Sequence, residues 1–97
     1  MIVYLAGRMS GLPDKGRYSF SVWHSELNRQ GYQVLNPALL PDGMPTEKYM
    51  PICLAMLDQA EAIALIPGWE DSKGANIERD YAKYQGKGII YLPKERK

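Results

Sequence analysis

The chain has 97 residues, of which 45% are hydrophobic, and a formal net charge of +1. This length predicts one domain over residues 1–97 with one ordinary core. The small net charge and the scattered basic residues exclude an electrostatic stripe for a nucleic-acid polymer. The single cysteine, Cys53, excludes an internal disulfide and a cysteine-rich zinc site, and it fits a reducing, cytoplasmic location. Because a small domain buries a modest share of its surface, we expect a homo-oligomer, a dimer or higher.

The first segment of the chain is almost continuously apolar. Residues Ile2 to Ala6 predict a strand that is covered on both faces and that ends at Gly7. This segment lacks a basic region and is too short for a signal peptide or a membrane span, so we expect no membrane association. The segment 7–13, with two glycines and a proline, predicts a loop.

A helix and a second strand follow this loop. Apolar residues recur at three- and four-residue steps between about Tyr18 and Gln30, which predicts an amphipathic helix. Gly31 is its expected C-terminal stop. A short strand is predicted over 32–35, and three prolines and a glycine between 36 and 46 predict the longest loop of the chain.

A second helix is predicted after the long loop. It begins near Thr46, or as late as Pro51, because proline is tolerated in a first helical turn. It runs to about Gln59. Its apolar residues cover more than one helical face, so we expect it to be well buried.

Two more strands and a third helix complete the predicted fold. The strands cover 62–66 and 89–92, and Ser72 is the expected cap of a helix that runs to about Tyr84. Strands and helices alternate throughout, which predicts an α/β domain with a four-stranded parallel sheet in the order 2-1-3-4. In such a sheet, ligands bind beyond the carboxyl ends of the strands.

The loop before the third helix has the most informative pattern for ligand binding. Ser72, Gly74 and Ala75 would open a helix whose free amides and dipole attract a phosphate or a carboxylate. Glu78 lies one helical turn beyond Gly74, so its carboxylate would share the face of this glycine. An ordinary helix cap at Ser72 and an ordinary surface glutamate at Glu78 are the alternatives.

The loop after the first strand is a second candidate for binding polar ligand groups. Its residues are Gly7, Arg8, Met9, Ser10 and Gly11. Backbone amides and a guanidinium at this place could hold such groups, although the pattern is neither the dinucleotide-binding fingerprint nor a phosphate-binding P-loop. An ion pair between Arg8 and a local carboxylate is equally open.

Other side chains at the same edge of the sheet extend the candidate site. Asn36 follows the second strand, and Trp69 is the aromatic residue on a loop, where it could stack on a base. Asp71 could share acid and base roles with Glu78 in glycosyl transfer. The sole histidine and the sole cysteine are interpreted as structural residues. No group of residues has metal-ligand spacing, so we expect no metal and no cofactor.

Three segments of the chain match the sequence pattern of a known family. They are residues 4–11, residues 31–38 with the matches Gly31-Tyr32 and Leu35-Asn36-Pro37-Ala38, and residues 65–75 followed by Glu78. On these segments the chain resembles the small phage and prophage proteins related to nucleoside 2-deoxyribosyltransferases. The resemblance implies a flavodoxin-like, Rossmann-like fold and chemistry at an N-glycosidic bond, in which Glu78 attacks the anomeric carbon of the sugar.

The residue at position 72 distinguishes two branches of this resemblance. Deoxyribosyltransferases usually carry an aspartate two residues before the helix-opening glycine. The similar deoxynucleoside 5′-monophosphate N-glycosidases carry a serine there and use it to hold the 5′-phosphate. Ser72 therefore favours a nucleotide over a free nucleoside as the small-molecule ligand. A second aspartate of the wider family, expected early in the second helix, is replaced around Ile52-Cys53-Leu54.

Three hypotheses about function follow. The first is an enzyme of the deoxyribosyltransferase and nucleotide N-glycosidase type, with Glu78 as nucleophile, Ser72 and Gly74 at the phosphate, and Arg8 with Ser10 at the base, sugar or phosphate. In that hypothesis Asp71 or a water assists the leaving base. The second is a non-catalytic protein that binds a nucleotide or a nucleotide-derived signal. The third is an interaction protein of a mobile element, whose Trp69 and proline-rich loop contact a partner.

Overall fold

The computed structural model describes residues 1–94, so the last three residues of the predicted domain lie outside the described part of the chain. The strands are β1 (Ile2–Ala6), β2 (Gln33–Leu35), β3 (Ala62–Leu65) and β4 (Gly88–Tyr91), and the α-helices are α1 (Arg17–Arg29), α2 (Thr46–Asp58) and α3 (Lys73–Tyr84). Short 3-10 helices at Pro37–Leu39 and Trp69–Asp71 precede α2 and α3.

The four strands form one parallel sheet in the order β2-β1-β3-β4. This order and the alternation of strands and helices confirm the predicted α/β class with a flavodoxin-like, three-layer architecture. The chain passes from β1 to β2 on one side and then crosses to β3 on the other side of β1. The carboxyl ends of β1 and β3 therefore flank the point where strand order reverses, and parallel sheets of this kind bind ligands there.

The two central strands contribute side chains to both faces of the sheet, because successive residues of a strand point in opposite directions. Tyr4 and Ala6 of β1 lie on the face that α2 and α3 cover. Val3 and Leu5 lie on the other face, against α1. All four side chains are buried. This explains why β1 has an almost continuous apolar sequence rather than an alternating one.

Helix α1 packs on its own face of the sheet through a stripe of large side chains. Phe20, Trp23 and Leu27 are buried against Val3 and Leu5. The helix spans Arg17–Arg29, one residue earlier at each end than the sequence pattern predicted. The chain reverses just beyond it at Gly31, whose φ of +97° lies in the left-handed region that a glycine adopts without steric cost.

Helix α2 differs from its prediction in burial. It begins at Thr46, the earlier of the two predicted starts, and Pro51 lies inside the helix. Only Cys53 and Leu57 of its residues are buried, whereas Ile52 is exposed, so the prediction of a well-buried helix was wrong. The physical reason is that the sheet and α3 cover one side of α2 and leave its outer side in contact with solvent, despite the apolar composition of that side.

No helix within residues 1–94 combines the length and the apolar character that crossing a membrane requires.

The buried stripe of α1 predicts a large loss of stability when one of its side chains is shortened. Leu27 is 2% exposed, and replacing it by alanine leaves a cavity between α1 and the sheet. We expect Leu27→Ala to lower the free energy of unfolding by about 2–5 kcal/mol, measured by urea denaturation. The matched control is Leu39→Ala, because Leu39 is 75% exposed, and its effect should stay within about 0.5 kcal/mol. Equal losses in the two variants would contradict this packing.

Candidate functional site

A cleft of about 960 Å³ opens at the carboxyl edge of the sheet, above β1 and β3. The loop after β1, the segment between β2 and α2, and the first turns of α3 form its walls. Its volume lies at the upper end of the range for small-molecule sites. The cleft therefore occupies the place at which the topology predicts ligand binding.

Glu78 lies at the floor of this cleft, although it is a charged residue of a helix. The inward stripe of α3 consists of Ala75, Glu78 and Ala82, all buried, and Glu78 is only 6% exposed. The two alanines are small enough to let α3 approach the sheet and bring the carboxylate over β1. There the hydroxyl of Tyr4 donates a hydrogen bond to Oε2 of Glu78 at 2.7 Å. Glu78 is therefore a held, buried carboxylate and not a solvated surface glutamate.

The surroundings of Glu78 bring its pKa close to neutrality. Burial raises the pKa of Glu78 from the ordinary value of 4.5 to about 7, and the hydrogen bond from Tyr4 opposes part of this rise. Burial and the nearby carboxylate both raise the pKa of Tyr4, so its phenol keeps the proton that it donates. The pair thus supplies a carboxyl group that exchanges its proton near pH 7 and a fixed donor that orients it.

Two residues of α2 extend the polar surroundings of Glu78. The hydroxyl of Tyr49 lies 3.0 Å from the carbonyl oxygen of Pro37 and 3.1 Å from Sδ of Met9, which joins α2 to two walls of the cleft. Cys53 is fully buried, and burial raises the pKa of its thiol, as expected for a structural cysteine. Sequence reasoning missed Tyr4 and Tyr49. A tyrosine in a doubly covered strand was the available signal, because a buried phenol needs a hydrogen-bond partner.

The first turn of α3 forms the wall beside Glu78. Oγ of Ser72 accepts a hydrogen bond from the backbone N–H of Ala75 at 3.1 Å, which confirms Ser72 as the helix cap. The first amides of a helix lack intrahelical acceptors, and the dipole adds positive potential at this end. Gly74 contributes no side chain to this wall, and a Cβ at position 74 would lie only 3.3 Å from the terminal methyl of Met50. This turn can therefore accept an anion close to Glu78.

The loop after β1 forms the facing wall. Gly7 lets this loop approach Ile66, the residue after β3, because a Cβ at position 7 would lie 3.0 Å from Cβ of Ile66. Arg8 is half-buried, and its Nε donates to the carbonyl oxygen of Ser10 at 3.2 Å. Among residues 1–94, no ion pair involves Arg8, so the alternative of a local carboxylate partner does not hold within that range. Nη2 of Arg8 lies beside Gly11, 2.9 Å from the position that a Cβ of this residue would take.

Ten of the twelve residues predicted for the site line the cleft. They are Gly7, Arg8, Met9, Ser10, Gly11, Asp71, Ser72, Gly74, Ala75 and Glu78. Asp71 belongs to the short 3-10 helix before α3 and is exposed to solvent. The carboxylate of Glu78 is thus buried and that of Asp71 is exposed to solvent, so the two carboxylates lie in different environments.

Asn36 and Trp69 do not line the cleft, and both side chains make local contacts instead. Oδ1 of Asn36 caps the 3-10 helix after β2 by accepting from Ala38 N at 2.8 Å, and its Nδ2 lies 3.0 Å from Nδ1 of His24. Trp69 packs against Tyr91, with ring centroids 5.9 Å apart.

The guanidinium of Arg79 covers the Trp69 ring at 5.2 Å from its centroid. Local packing therefore occupies the two side chains that sequence position alone had assigned to a ligand.

Within the described part of the chain, no group of three or more histidine, cysteine or acidic side chains could hold a metal ion. The donor set of the cleft consists instead of hydroxyls, backbone amides and single charges.

Comparison with known proteins adds a family to this geometry. The family model described as a domain of unknown function (DUF4406) matches residues 1–91. The chain belongs to this family. The matched residues include every element of the sheet and all of the cleft. No curated protein matches the chain significantly.

The buried carboxyl of Glu78 predicts a dependence of stability on pH. Because its pKa is raised to about 7, the folded chain holds a proton that the unfolded chain loses above pH 4.5, so the free energy of unfolding falls as pH rises from 4.5 to 7. Glu78→Gln removes this charge, so the variant should be the more stable protein at pH 8, by an amount of order 3 kcal/mol. Its advantage should shrink towards pH 5.

Urea denaturation at a series of pH values measures this difference, with Glu70→Gln as control because Glu70 is an exposed carboxylate close to the cleft. Parallel stability profiles for the parent and Glu78→Gln would show that Glu78 ionises as a solvated group.

Proposed function

We propose that the protein cleaves the N-glycosidic bond of a nucleoside 5′-monophosphate, with Glu78 as the nucleophile. The observation that carries this proposal is the position of Glu78: a buried carboxyl, held by Tyr4, at the floor of a cleft and one helical turn from an anion-accepting helix start. The resemblance of the sequence to the nucleoside 2-deoxyribosyltransferase-like superfamily supports the same reaction.

The proposed reaction has two steps that balance with water. Ionised Glu78 attacks the anomeric carbon, the bond from that carbon to the base nitrogen breaks, and the base leaves with a proton from Asp71 or a water. Water then hydrolyses the glycosyl ester, which frees the sugar phosphate and regenerates the carboxylate. Transfer of the sugar to a second base in place of water gives the deoxyribosyltransferase reaction.

The ionisation of Glu78 suits this chemistry. A pKa of about 7 leaves about half of the carboxyl groups ionised at neutral pH. The hydrogen bond from Tyr4 fixes the Oε2 oxygen, so the nucleophile has one preferred orientation before substrate arrives. The partial desolvation that raises the pKa also leaves the carboxylate weakly hydrated, so little water has to be removed when it attacks.

The first turn of α3 supports a nucleotide as the substrate. The Ser72 hydroxyl accepts from Ala75 N and keeps its own proton, with which it can donate to a phosphate oxygen. Together with the amides beside Gly74, it offers several donors to one phosphate. In this proposal the phosphate lies at α3, the sugar above Glu78 and the base towards the facing wall.

A cytoplasmic location, where nucleotide pools are available, and an origin in phages or prophages belong to the same proposal. The homo-oligomer expected from the small size of the domain stays a prediction. So does the absence of any cofactor from the reaction.

The proposal predicts that free base is released and that the release depends on the Glu78 carboxylate. Purified protein is incubated with the common nucleosides, deoxynucleosides and their 5′-monophosphates, and free base is followed by chromatography. We expect Glu78→Gln to lower the rate by at least about 10³-fold, because it removes the nucleophile and keeps the shape. The parent rate should rise with pH through about 7, as Glu78 ionises.

The matched control is Glu70→Gln, which removes an exposed carboxylate outside the lining of the cleft and should leave the rate unchanged. Base release that persists in Glu78→Gln would overturn the role of Glu78. No release from any substrate would overturn the reaction.

The proposed phosphate site predicts a change of substrate in Ser72→Asp. Aspartate caps a helix about as well as serine, so the free energy of unfolding should change by less than about 0.5 kcal/mol. Its negative charge repels a phosphate, so we expect the Kd of monophosphates to rise at least about tenfold while that of the nucleoside with the same base is unchanged. Titration calorimetry measures both constants. Equal losses for nucleotide and nucleoside would place the phosphate elsewhere.

One observation favours a second candidate function, a non-catalytic nucleotide-binding protein. The ionisable side chains of α2 near Glu78 are the phenol of Tyr49 and the thiol of Cys53. Neither is a carboxylate, so neither replaces the second aspartate of the wider family. Asp71, the other candidate acid, is exposed to solvent. A nucleotide that raises the melting temperature without releasing base would favour this binding role.

A further inference from the structure

One arginine of the cleft differs in burial from the other basic side chains there. Within residues 1–94, the basic side chains that line the cleft are Arg8, Lys15, Arg17 and Lys73. Arg8 is half-buried, whereas the other three are exposed. It belongs to the loop after β1, the wall that faces the start of α3. In the proposed function the base lies towards this wall, and neither step of the reaction uses a cation there.

The fold holds Arg8 in place at its backbone and at its guanidinium. A Cβ at Gly16 would lie 2.5 Å from the carbonyl oxygen of Arg8, and a Cβ at Gly11 would lie 2.9 Å from its Nη2. The φ angles of these two glycines are +78° and +83°, in the left-handed region. Both positions therefore need glycine for the backbone and for the space that Arg8 occupies.

The guanidinium of Arg8 is anchored at one nitrogen and available at the others. Its Nε donates to the carbonyl oxygen of Ser10. In the part of the chain that the structure describes, the two terminal nitrogens have neither a hydrogen-bond acceptor nor an ion-pair partner. A ligand in the cleft can therefore accept hydrogen bonds from a cation whose position is already fixed.

Breaking an N-glycosidic bond places negative charge on the base, and the cleft offers little acid to neutralise it. Among residues 1–94, the carboxylates that line the cleft besides Glu78 are those of Asp42 and Asp71, and both are exposed. Burial raises the pKa of the Tyr49 phenol and of the Cys53 thiol, so neither group readily gives up a proton. The charge on the leaving base therefore has to be stabilised by another group.

We propose that Arg8 is a catalytic residue that binds the leaving base and stabilises the negative charge that develops on it. This inference rests on the proposed function, because it needs the nucleophilic attack by Glu78. A guanidinium suits the role, since it stays protonated and its planar N–H donors form charge-assisted hydrogen bonds with ring nitrogens and carbonyl oxygens. Donors that are fixed in advance are effective at a charge that appears only in the transition state.

The topology places Arg8 on the side of the sugar opposite the phosphate. Tyr4, which holds Glu78, lies in β1, and Arg8 follows the carboxyl end of the same strand. The phosphate site proposed at the start of α3 follows the neighbouring strand, β3. A nucleotide with its phosphate at α3 and its sugar above Glu78 therefore has the loop of Arg8 as the wall beyond the sugar.

Arg8 acts in the first step of the reaction and keeps its own proton. As Glu78 forms its bond to the anomeric carbon, the electron pair of the N-glycosidic bond moves to the base. The charge spreads to a second ring nitrogen of a purine or to a carbonyl oxygen of a pyrimidine, where Arg8 donates its hydrogen bonds. The released base takes a proton from water, and hydrolysis of the glycosyl ester returns one, so the whole reaction consumes one water.

The test compares each substrate with a counterpart whose base leaves more easily. Purine nucleotides are paired with their 7-methyl derivatives, whose base leaves without a net charge. Pyrimidine nucleotides are paired with counterparts that carry an electron-withdrawing group at carbon 5. Base release, followed by chromatography, gives kcat/KM for both members of each pair. The ratio of the activated to the ordinary substrate measures how much the protein itself stabilises the leaving base.

We expect Arg8→Gln to lower kcat/KM of the ordinary nucleotides by at least about 10²-fold, the usual effect of removing one preorganised donor from a developing charge. The activated counterparts depend less on this donor, so the ratio of activated to ordinary substrate should rise at least about tenfold. A purely structural effect of the substitution would lower kcat/KM for both substrates equally and leave the ratio unchanged.

The matched control is Arg17→Gln, which removes a guanidinium that also lines the cleft but is exposed and paired with Asp42. It should leave both values of kcat/KM within about threefold of the parent. An unchanged ratio in Arg8→Gln, with base release that is lost in Glu78→Gln, would overturn the role of Arg8 and leave the reaction intact. No base release from any substrate would overturn both.

A second variant, Arg8→Lys, decides the matter if a loss of far-UV circular dichroism shows that Arg8→Gln does not fold. Lysine keeps the positive charge, but it lacks the planar fork and the nitrogen that donates to Ser10. We expect the ratio of activated to ordinary substrate to rise at least about threefold in this variant, because the point charge is less well placed on the base. A ratio equal to that of the parent would overturn the role of Arg8.

Discussion

Burying a carboxyl group beside the central strands is the constraint on which the rest of the cleft depends. Glu78 loses most of its hydration, and the Tyr4 hydroxyl replaces one of the lost hydrogen bonds at 2.7 Å. This arrangement needs small residues around Glu78 on α3, where Ala75 and Ala82 allow a close approach to the sheet. It also needs a tyrosine at position 4 in a strand that is otherwise aliphatic. A surface-exposed Glu78 would need neither the small residues on α3 nor the tyrosine in β1.

The fold was largely predictable from the sequence because its signals are local or periodic. An apolar run ending in glycine predicted β1, and the three- and four-residue steps predicted α1 within one residue at each end. The cap at Ser72 was also correct, since serine at a helix start is a strong local preference. The burial of α2 was not predictable from composition. Which of its apolar faces is covered depends on how α3 lies beside it, a relation between segments far apart in the sequence.

In the cleft, too, the contacts between residues close in sequence were predictable and the contacts between distant residues were not. Glu78, Ser72 and Gly74 share one helix start, so their neighbourhood follows from helical spacing. The partner of Glu78 comes from Tyr4, 74 positions earlier, and no spacing rule connects them. Asn36 and Trp69 were assigned to a ligand by their place at the sheet edge. In the structure, the Asn36 side chain caps the 3-10 helix after β2, and the Trp69 ring packs against Tyr91. Position at an edge fixes the backbone and leaves the direction of the side chain open.

The long separation of Tyr4 and Glu78 in sequence also affects when the site can exist during folding. Strand β1 is at the start of the chain and α3 is near its end, so their contact closes a long loop and forms only after the sheet has brought β3 beside β1. A chain that has not reached this stage carries Glu78 in water, with the pKa of an ordinary glutamate. Partial unfolding that separates α3 from the sheet would have the same effect. The near-neutral titration of Glu78 is thus a property of the completed native state and reports on its integrity.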